Sequence, residues 1–458
     1  MYCNVLVTKP FDHTFTYKIR DEQIVKIGSI VQVPFGKKND ELGMVEEIFP
    51  SLPKSIKNIK IKEISIIYNN IIFSKELIKY IKWISDYTLA SRGLVLKLFL
   101  VNKKILQHTM NFNDVINWLP KKSFLNLEQK KAFDLINKNL VNKYQPLVLE
   151  GVTGSGKTEV YFEAIQKILI QKQHALIMLP EISLTPQLEK RFKERFGFLP
   201  DLWHSKISEK NKKNTWHKCF FGKSLIVVGA RSSLFLPFKN LKLIVVDEEH
   251  DLSFKQEDNI RYHGRDLAIV RASIEKFPII LSSATPSLET YNNINKKNFT
   301  HLFLSTQFSG IKLPNIELID LNKEKFELSK WISKKVLNIL EQNIKNKEQS
   351  LLFLNRRGYS PLTLCKNCGH RYQCNNCTSW LVLHKQKNRL LCHQCGSIYN
   401  LETKCPSCNL KDTMRLIGPG VERLAEEIRN IFPECNTGIM SSDIANTPNK
   451  LKKIIDDF

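Results

Sequence analysis

Glycines, a lysine and a threonine stand at the spacing of a phosphate-binding loop in one stretch of the chain. The pattern G-x-x-x-x-G-K-T runs from Gly151 to Thr158, after an apolar segment and before a helical pattern that starts at Glu159. Glycines let backbone N–H groups wrap closely around a phosphate, and the following helix presents its positive end to the anion. A chance glycine turn is the alternative, which the strand before and the helix after disfavour. The stretch predicts a nucleotide site formed by Gly151, Val152, Thr153, Gly154, Ser155, Gly156, Lys157 and Thr158.

An acidic quartet supplies the other groups that phosphate chemistry needs. Asp247 opens the run Asp-Glu-Glu-His directly after four apolar residues, and a carboxylate at the end of a buried strand suits Mg²⁺. Glu248 beside it can orient or deprotonate an attacking water. A solvated acidic loop is the alternative, and the apolar strand disfavours it. The predicted catalytic residues are therefore Lys157, which reaches the β- and γ-phosphates, Asp247 and Glu248, with Thr158 and Asp247 as magnesium ligands.

Cysteines form a third cluster of residues, and their thiolates can bind metal ions. Eight of the eleven cysteines lie between residues 365 and 408, in four C-x-x-C pairs. Eight thiolates suffice for two tetrahedral Zn²⁺ sites of four sulfurs each. An iron–sulfur cluster is the alternative, and the glycines that follow two of the pairs favour zinc. The predicted ligands are Cys365, Cys368, Cys374, Cys377, Cys392, Cys395, Cys405 and Cys408.

Alternating strands and helices must position the nucleotide residues. Four near-continuous apolar runs, at 175–179, 225–229, 243–246 and 279–282, are typical of parallel strands that are buried on both faces. Such a doubly wound α/β sheet binds ligands at the carboxyl ends of its strands, where the acidic quartet lies. The first hundred residues instead show short strand candidates and then an amphipathic helix from Ser74 to Tyr87.

Composition indicates a polyanionic partner. The 458 residues include 69 Lys and Arg against 45 Asp and Glu, a formal charge of +24. This excess favours nucleic acid as the partner, although heavy use of Lys, Ile and Asn throughout could raise the charge without a binding role. No apolar run approaches the ~18 residues of a membrane span and no signal peptide opens the chain, so we expect a soluble, cytoplasmic protein without a membrane partner.

Together the motifs resemble those of one family, the bacterial primosomal replication-restart helicases of superfamily 2, known as the PriA family. The run Asp247–Asp251, followed by Lys255-Gln256 and by Arg261 to Asp266, is very specific to it. The resemblance implies a RecA-like motor lobe, a partial second lobe that carries the zinc-binding insert, and a small β-rich DNA-binding domain in front of them. It also implies an ATP-dependent 3′-to-5′ DNA helicase that acts at stalled or abandoned forks and restarts replication by primosome assembly.

The resemblance also implies roles for individual residues. Gln129 corresponds to the glutamine that reads adenine. Residues 254 to 266 correspond to a loop that couples DNA contact to hydrolysis. The cysteines would be nested, with the outer two pairs on one zinc ion and the inner two on the other. The implied DNA contacts are Phe15, Gly36 and Lys60 for a 3′ end, and Arg261, Tyr262, His263 and Arg265 in the coupling loop.

Domain bounds follow from the same comparison of motifs. We expect a 3′-end-binding domain at 1–100, a connector at 101–124 that is too short for a winged helix, and an ATP-binding lobe at 125–311. A partial second lobe would occupy 312–364 and 409–458 around the double zinc insert at 365–408. The last motor motifs, the arginines that reach ATP and the C-terminal domain have no counterpart up to Phe458. An alternative function is therefore a fork-binding scaffold that binds ATP with little turnover.

Cofactors and partners complete the expectations. The implied cofactors are ATP, Mg²⁺ and two Zn²⁺. The implied partners are forked and single-stranded DNA, with single-stranded DNA-binding protein and other primosome components added by the resemblance. The implied location is the bacterial cytoplasm, at the nucleoid. An RNA helicase is a remote further alternative, and the cysteine clusters disfavour it.

Overall fold

The computed structural model forms two compact units, residues Met1–Leu313 and Pro314–Phe458. The predicted connector, Lys60 and the segments 181–185 and 355–361 lie wholly or mostly outside the residues that the structure describes. Within the described part, no helix has the length and apolar character needed to cross a membrane. The described residues are 1–20, 23–36, 39–52, 61–100, 106, 118, 124–140, 144–180, 186–307, 314–320, 331–354, 362–365, 367–384, 389–392, 394–400, 404–411, 413–417, 420–440, 454 and 457.

A five-stranded antiparallel sheet opens the first unit. Its strands, in the spatial order β2-β1-β4-β3-β5, are β1 (Tyr2–Val7), β2 (Phe15–Lys18), β3 (Ser29–Phe35), β4 (Asn39–Phe49) and β5 (Ile66–Ile72). Two helices follow, α1 (Lys75–Thr88) and α2 (Arg92–Leu100). The Ser74 hydroxyl accepts a hydrogen bond from Leu77 N and so caps α1, which begins one residue after the expected start.

A seven-stranded parallel sheet forms the rest of the first unit. The spatial order of its strands is β14-β6-β13-β10-β7-β9-β8. They are β6 (Pro146–Gly151), β7 (His174–Met178), β8 (Asp201–Trp203), β9 (Ile226–Gly229), β10 (Leu241–Asp247), β13 (Ile279–Ser283) and β14 (Thr300–Leu304). Between β10 and β13 lie the short antiparallel strands β11 (Lys255–Gln256) and β12 (Tyr262–His263).

Helices cover both faces of this sheet because alternate residues of each central strand point to opposite sides. Ile244 and Val246 of β10 belong to one core, and Leu243 and Val245 belong to the other. One face carries α3 (Leu127–Asn139), α4 (Lys157–Ile170) and α5 (Pro186–Phe196), and the other carries α6 (Glu209–Phe221) and α7 (Gly264–Glu275). The helix α8 (Leu288–Asn295) connects β13 to β14. The predicted doubly wound α/β class is confirmed.

The helices α1 and α2 share a core with the second of these faces. The indole of Trp216 donates a 2.8 Å hydrogen bond to Phe99 O, and the Tyr80 hydroxyl donates one of 3.0 Å to Leu267 O. Tyr80, Phe99 and Trp216 are fully buried. The β-rich domain is therefore fixed to the parallel-sheet domain by packed helices.

The second unit has two helices and a cysteine-rich region. The helices α9 (Lys334–Lys345) and α10 (Val421–Ile431) pack through a small core around Leu340 and Ile428. The cysteine-rich region contains a two-stranded sheet, β15 (Leu362–Cys365) with β19 (Met414–Ile417), and a three-stranded sheet. The strands of the latter are β16 (Val382–His384), β17 (Arg389–Leu391) and β18 (Ile398–Asn400).

Candidate functional site

The phosphate-binding loop joins β6 to α4. Gly154 and Gly156 have φ angles of +80° and +79°, in the left-handed region that favours glycine. A Cβ at Gly151 would lie 2.6 Å from Ser155 Oγ and 2.9 Å from Leu304 Cβ, so this position also favours glycine. No side chain in the described part of the chain caps α4, whose first turn faces the loop. The backbone N–H groups of the helix start are thus available to an anion.

Two side chains of the loop fit a bound phosphate. Lys157 Nζ donates a 2.8 Å hydrogen bond to Gly151 O, which holds the amine at the loop. Burial lowers the pKa of Lys157, and the nearby carboxylates of Glu248 and Asp247 oppose that shift. Ser155 Oγ is buried and has no hydrogen-bond partner among the described residues. A buried hydroxyl inside a glycine cradle suits a phosphate oxygen, since an unpaired buried polar group is otherwise costly.

Asp247 is oriented by hydroxyl groups from two different elements. The Tyr161 hydroxyl, on α4, lies 3.0 Å from Asp247 Oδ2, and the Ser282 hydroxyl, on β13, lies 2.7 Å from Oδ1. Tyr161 also interacts with the side chain of Thr158 one turn earlier on α4. The two predicted magnesium ligands, Thr158 and Asp247, are thereby brought to one site. Neutral hydroxyls orient this carboxylate without cancelling its charge, and such a donor set suits Mg²⁺.

Glu248 has the backbone and the environment of a constrained functional residue. Its φ of +50° lies in the left-handed region, which is uncommon for a residue with a side chain. Burial, and then repulsion from Asp247, raise the pKa of the Glu248 carboxyl, while Lys157 opposes the rise. A carboxylate with a raised pKa is a better proton acceptor. His250 lies 3.7 Å from Glu248 through Nδ1, which also contacts Ser283 Oγ at 2.8 Å.

Gln129 lies directly beside the phosphate-binding loop. Its amide Nε2 donates a 2.9 Å hydrogen bond to Ser155 O, and its Oε1 accepts one of 2.9 Å from Asn126 N. The side chain is fully buried. It thus ties the first turn of α3 to the loop. Its proposed contact with adenine stays a prediction.

The predicted DNA contacts of the coupling segment differ in exposure. Arg261 is exposed, and His263 is half-buried. Tyr262 is buried and packs edge-on against Phe235 with ring centres 5.3 Å apart. Arg265 is buried in an ion pair with Glu249. In this structure the side chain that reaches solvent fully is that of Arg261, and the DNA roles of all four stay predictions.

Phe15 belongs to a cluster of aromatic rings on the β-rich domain. Its ring centre lies 5.1 Å from Phe35, 5.3 Å from Phe11 and 4.8 Å from His13. Gly36 follows Phe35 with a φ of +68°, and a Cβ there would have no neighbour within 4 Å. Partly exposed rings beside an open backbone suit a base and its sugar. Lys60, the third predicted contact, lies outside the described residues.

The eight predicted metal ligands form two groups of four. One group is Cys365, Cys368, Cys405 and Cys408, and the other is Cys374, Cys377, Cys392 and Cys395, with all ligand atoms of each group within 4.8 Å of one another. This is the nested pairing that the family resemblance implied. No further group of this kind is found among the described residues.

The sulfur geometry of both groups fits zinc. Distances of 3.6 and 3.7 Å separate paired sulfurs in the first group, and 3.4 Å separates them in the second. Zn–S bonds of about 2.3 Å in a tetrahedron place sulfurs about 3.8 Å apart, whereas a disulfide brings them to about 2.05 Å. The hydroxyls of Thr413 and Tyr399 lie 3.2 and 3.3 Å from Cys365 Sγ and Cys374 Sγ. Such outer hydrogen bonds help to fix the ligands of a metal site.

Several residues that build these sites lie outside the sequence motifs. Tyr161 could have been found from its position one turn after Thr158, and Ser282 from its polarity at the end of an apolar strand. Phe11 and His13 could have been found from their spacing, because they precede Phe15 at intervals of two residues. Glu249 is fully buried, which its acidic neighbours did not indicate.

Family sequence models match three parts of the chain. The DEAD/DEAH box helicase family matches residues 126–294. A 3′DNA-binding domain (3′BD) family matches residues 4–101, and the family of the PriA DNA helicase Cys-rich region (CRR) domain matches residues 374–398. The three matches cover most of the parallel-sheet domain, the β-rich domain and the inner cysteine group.

Curated relatives are similar over nearly the whole chain. Replication restart protein PriA of Rickettsia conorii is 43% identical over 96% of this chain and 66% of that protein. The protein of the same name from Chlamydia muridarum is 30% identical over 97% of this chain and 70% of that protein. The one from Bacillus subtilis is 38% identical over 72% of this chain and 41% of that protein. The chain thus spans slightly less than two thirds of the Rickettsia relative's length.

Proposed function

Because the chain belongs to the family of PriA replication restart proteins, we propose that it is an ATP-dependent DNA helicase that moves 3′-to-5′ at abandoned replication forks. It would recognise a fork and permit replication to restart through primosome assembly. The observation that carries the proposal is the Tyr161 hydrogen bond to Asp247, because it joins the helix of the phosphate-binding loop to the acidic end of β10.

ATP would bind with its phosphates in the glycine cradle. Lys157 and the N-terminus of α4 hold the phosphates there, while Ser155 Oγ supplies a free hydrogen-bonding group. Thr158 and Asp247 would hold Mg²⁺, which would neutralise charge on the phosphates. Glu248 orients the attacking water and accepts its proton. Gln129 would fix the loop, and its amide would read the adenine edge in place of the hydrogen bond that it donates to Ser155 O.

DNA would bind at two places in the first unit. The cluster of Phe11, His13, Phe15 and Phe35 beside Gly36 takes the 3′ end of a nascent strand, with Lys60 as a further contact. Stacking on aromatic rings needs no particular base, which suits a protein that acts at any fork. Arg261 supplies a cation to single-stranded DNA near the ATP site. The charge of +24 would support both contacts.

The double zinc insert would fold around two Zn²⁺ ions and present a rigid surface to DNA or to other primosome components, including single-stranded DNA-binding protein. We assign residues 1–100 to the 3′-end-binding domain, 101–124 to a connector and 125–311 to the ATP-binding lobe. A partial second lobe occupies 312–364 and 409–458, on either side of the double zinc insert at 365–408. The place of action would be the bacterial cytoplasm at the nucleoid.

Strand separation tests the proposal directly. A labelled fork with a 3′ single-stranded tail should be unwound in Mg-ATP, whereas the matching substrate with a 5′ tail should not. Lys157→Ala should abolish unwinding while leaving fork binding intact, because it removes only the phosphate contact. Fork binding with no strand separation and no ATP hydrolysis would instead support the scaffold alternative.

A further inference from the structure

The chain segment that follows β14 lies against the phosphate-binding loop. β14 pairs with β6 so that Leu304 is opposite Gly151, and Val152 N donates a 3.3 Å hydrogen bond to Leu304 O. Three residues further on, the side-chain amide of Gln307 donates a 3.1 Å hydrogen bond to Thr153 O. The loop is thus held along one side by residues that lie more than 150 positions later in the sequence.

Glu128, in the first turn of α3, holds this segment in place. Its carboxylate accepts hydrogen bonds from the Ser305 hydroxyl at 2.6 Å, Ser305 N at 3.1 Å, the Thr306 hydroxyl at 3.0 Å and Thr306 N at 3.2 Å. The hydroxyls of Ser305 and Thr306 lower the pKa of the Glu128 carboxyl. An ionised carboxylate with four donors fixes the backbone of both residues, and with it the side from which Gln307 reaches the loop.

Two other side chains that hold the loop would leave it when ATP binds. Gln129 Nε2 donates a 2.9 Å hydrogen bond to Ser155 O, and it would release this carbonyl to read the adenine edge. Lys157 Nζ donates one of 2.8 Å to Gly151 O, and it would turn to the phosphates. Gln307 has no role in the proposed site that would draw it away, so it can hold the loop both without and with ATP.

The hydrogen bond from Gln307 sets the direction of a peptide N–H group. In a planar trans peptide, the carbonyl and the N–H of the next residue point in opposite directions. Because Thr153 O points to Gln307, the N–H of Gly154 points away from that side of the loop. Gly154 is exposed and has a φ of +80°, so without this contact its backbone would be free to turn. Backbone N–H groups that converge in such a loop bind anions.

We propose that Gln307, held by Glu128, is a positioning residue of the ATP site. It fixes the peptide between Thr153 and Gly154, so that the N–H of Gly154 is aimed at the phosphates before the nucleotide arrives. This inference deepens the proposed function and rests on it. Because Gln307 acts on the loop and not on the base, its effect on binding depends on the phosphates of the ligand and not on adenine.

The nucleotide affinity of variants of the full chain tests the proposal. Gln307→Met keeps the length of the side chain and removes its donor, so the Kd for Mg-ATP should rise about 3- to 10-fold, the effect of one hydrogen bond. The Kd for inorganic tripolyphosphate with Mg²⁺, measured by displacement of a fluorescent Mg-ATP analogue, should rise by the same factor. This probe has the phosphates but no base, so it isolates the loop.

A second variant tests the part assigned to Glu128. Glu128→Gln removes the charge that holds Ser305 and Thr306, so it should also raise both Kd values. The double variant with Gln307→Met should bind about as tightly as Gln307→Met alone, because the two changes break one connection.

Gln145→Met is the matched control. The amide of Gln145 donates a 2.8 Å hydrogen bond to Thr300 Oγ1, which joins the same two strands, β6 and β14, at the end opposite the loop. The control therefore removes an amide hydrogen bond of the same kind and should leave both Kd values unchanged. Gln307→Asn, whose amide is one methylene short of Thr153, should behave as Gln307→Met. Thermal unfolding without nucleotide checks that each variant is folded.

The outcomes are distinguishable. An unchanged Kd for Mg-ATP in Gln307→Met overturns the proposal and leaves the proposed function in place. An equal rise in Gln145→Met, or a rise for Mg-ATP without one for tripolyphosphate, also overturns it, since the effect then concerns the fold or the base. Additive effects of Glu128→Gln and Gln307→Met overturn the part assigned to Glu128. An unaltered chain that does not bind Mg-ATP contradicts the proposed function and this inference together.

Discussion

The hydroxyl of Tyr161 lies 3.0 Å from Asp247 Oδ2, across 86 residues of sequence. Tyr161 lies one turn after Thr158 on α4, and Asp247 ends β10. Strand β13 lies between β6, which leads into the loop, and β10. From β13, the Ser282 hydroxyl donates a hydrogen bond to the other carboxylate oxygen of Asp247. The nucleotide-binding loop and the carboxylate expected to hold Mg²⁺ are therefore one hydrogen-bonded unit before any ligand arrives.

Tyr161→Phe should impair the use of Mg-ATP. The change keeps the ring and removes the hydrogen bond, so Asp247 loses part of its orientation. Groups that orient a metal ligand typically contribute about 10- to 100-fold in metal affinity or activity. Titrating Mg²⁺ in an ATPase assay should show a higher Mg²⁺ requirement. Tyr144→Phe, at a half-buried ring of the same unit, is the matched control and should behave as the unaltered chain.

Glu248 should impose a pH dependence on hydrolysis. Burial and Asp247 raise the pKa of its carboxyl above the ordinary value of 4.5, and only the ionised form can accept a proton. The kcat should therefore fall as the pH decreases, with a midpoint above 4.5. Glu248→Gln should be slow and lack this inflection. A midpoint at or below the ordinary value, or the same inflection in Glu248→Gln, would refute the assignment.

His174 should make the fold less stable in mild acid. Burial lowers the pKa of His174 from 6.5 to about 4, so the folded chain keeps this imidazole neutral. The unfolded chain binds its proton first as the pH falls, and stability is lost from about pH 6.5 down to about pH 4. The full loss is about 3 kcal/mol. Urea unfolding at pH 7 and pH 5 should show a smaller difference in His174→Gln than in the unaltered chain.

Zinc content should follow the two cysteine groups. Elemental analysis of the purified chain should give close to two zinc ions, and Cys374→Ser should give close to one, because four thiolates define each site. Cys435→Ser is the matched control, since this cysteine is in neither group, and should keep both ions. A metal content near zero, or coloured protein containing iron, would be incompatible with the assignment.

Features encoded by neighbouring residues were predictable from the sequence. The phosphate-binding loop, the buried strands and the four cysteine pairs each depend on residues a few positions apart. The roles of Tyr161, Ser282 and Glu249 depend on the order of the strands, which places β13 between β6 and β10. No local sequence pattern indicates which groups the Tyr161 and Ser282 hydroxyls or the Glu249 carboxylate contact. Only the tertiary structure identifies these contacts.

Local sequence patterns also could not predict which elements share a core in the first unit. The pairing of Trp216 with Phe99 and of Tyr80 with Leu267 joins residues more than one hundred positions apart. The amphipathic helix containing Tyr80 was predicted, but an apolar face does not specify which surface it covers. Likewise the exposure of Arg261 and the burial of Arg265 follow from the packing of residues 250–264 and not from their charge.

Fork-stimulated ATP hydrolysis tests the central claim most directly. The purified 458-residue chain is assayed in Mg-ATP with a fork that carries a free 3′ nascent end, with the same fork blocked at that end, and without DNA. We predict turnover that rises strongly with the free-ended fork, rises less with the blocked one, and is lost in Lys157→Ala. Absence of hydrolysis with every fork, or turnover that persists in Lys157→Ala, would contradict the account.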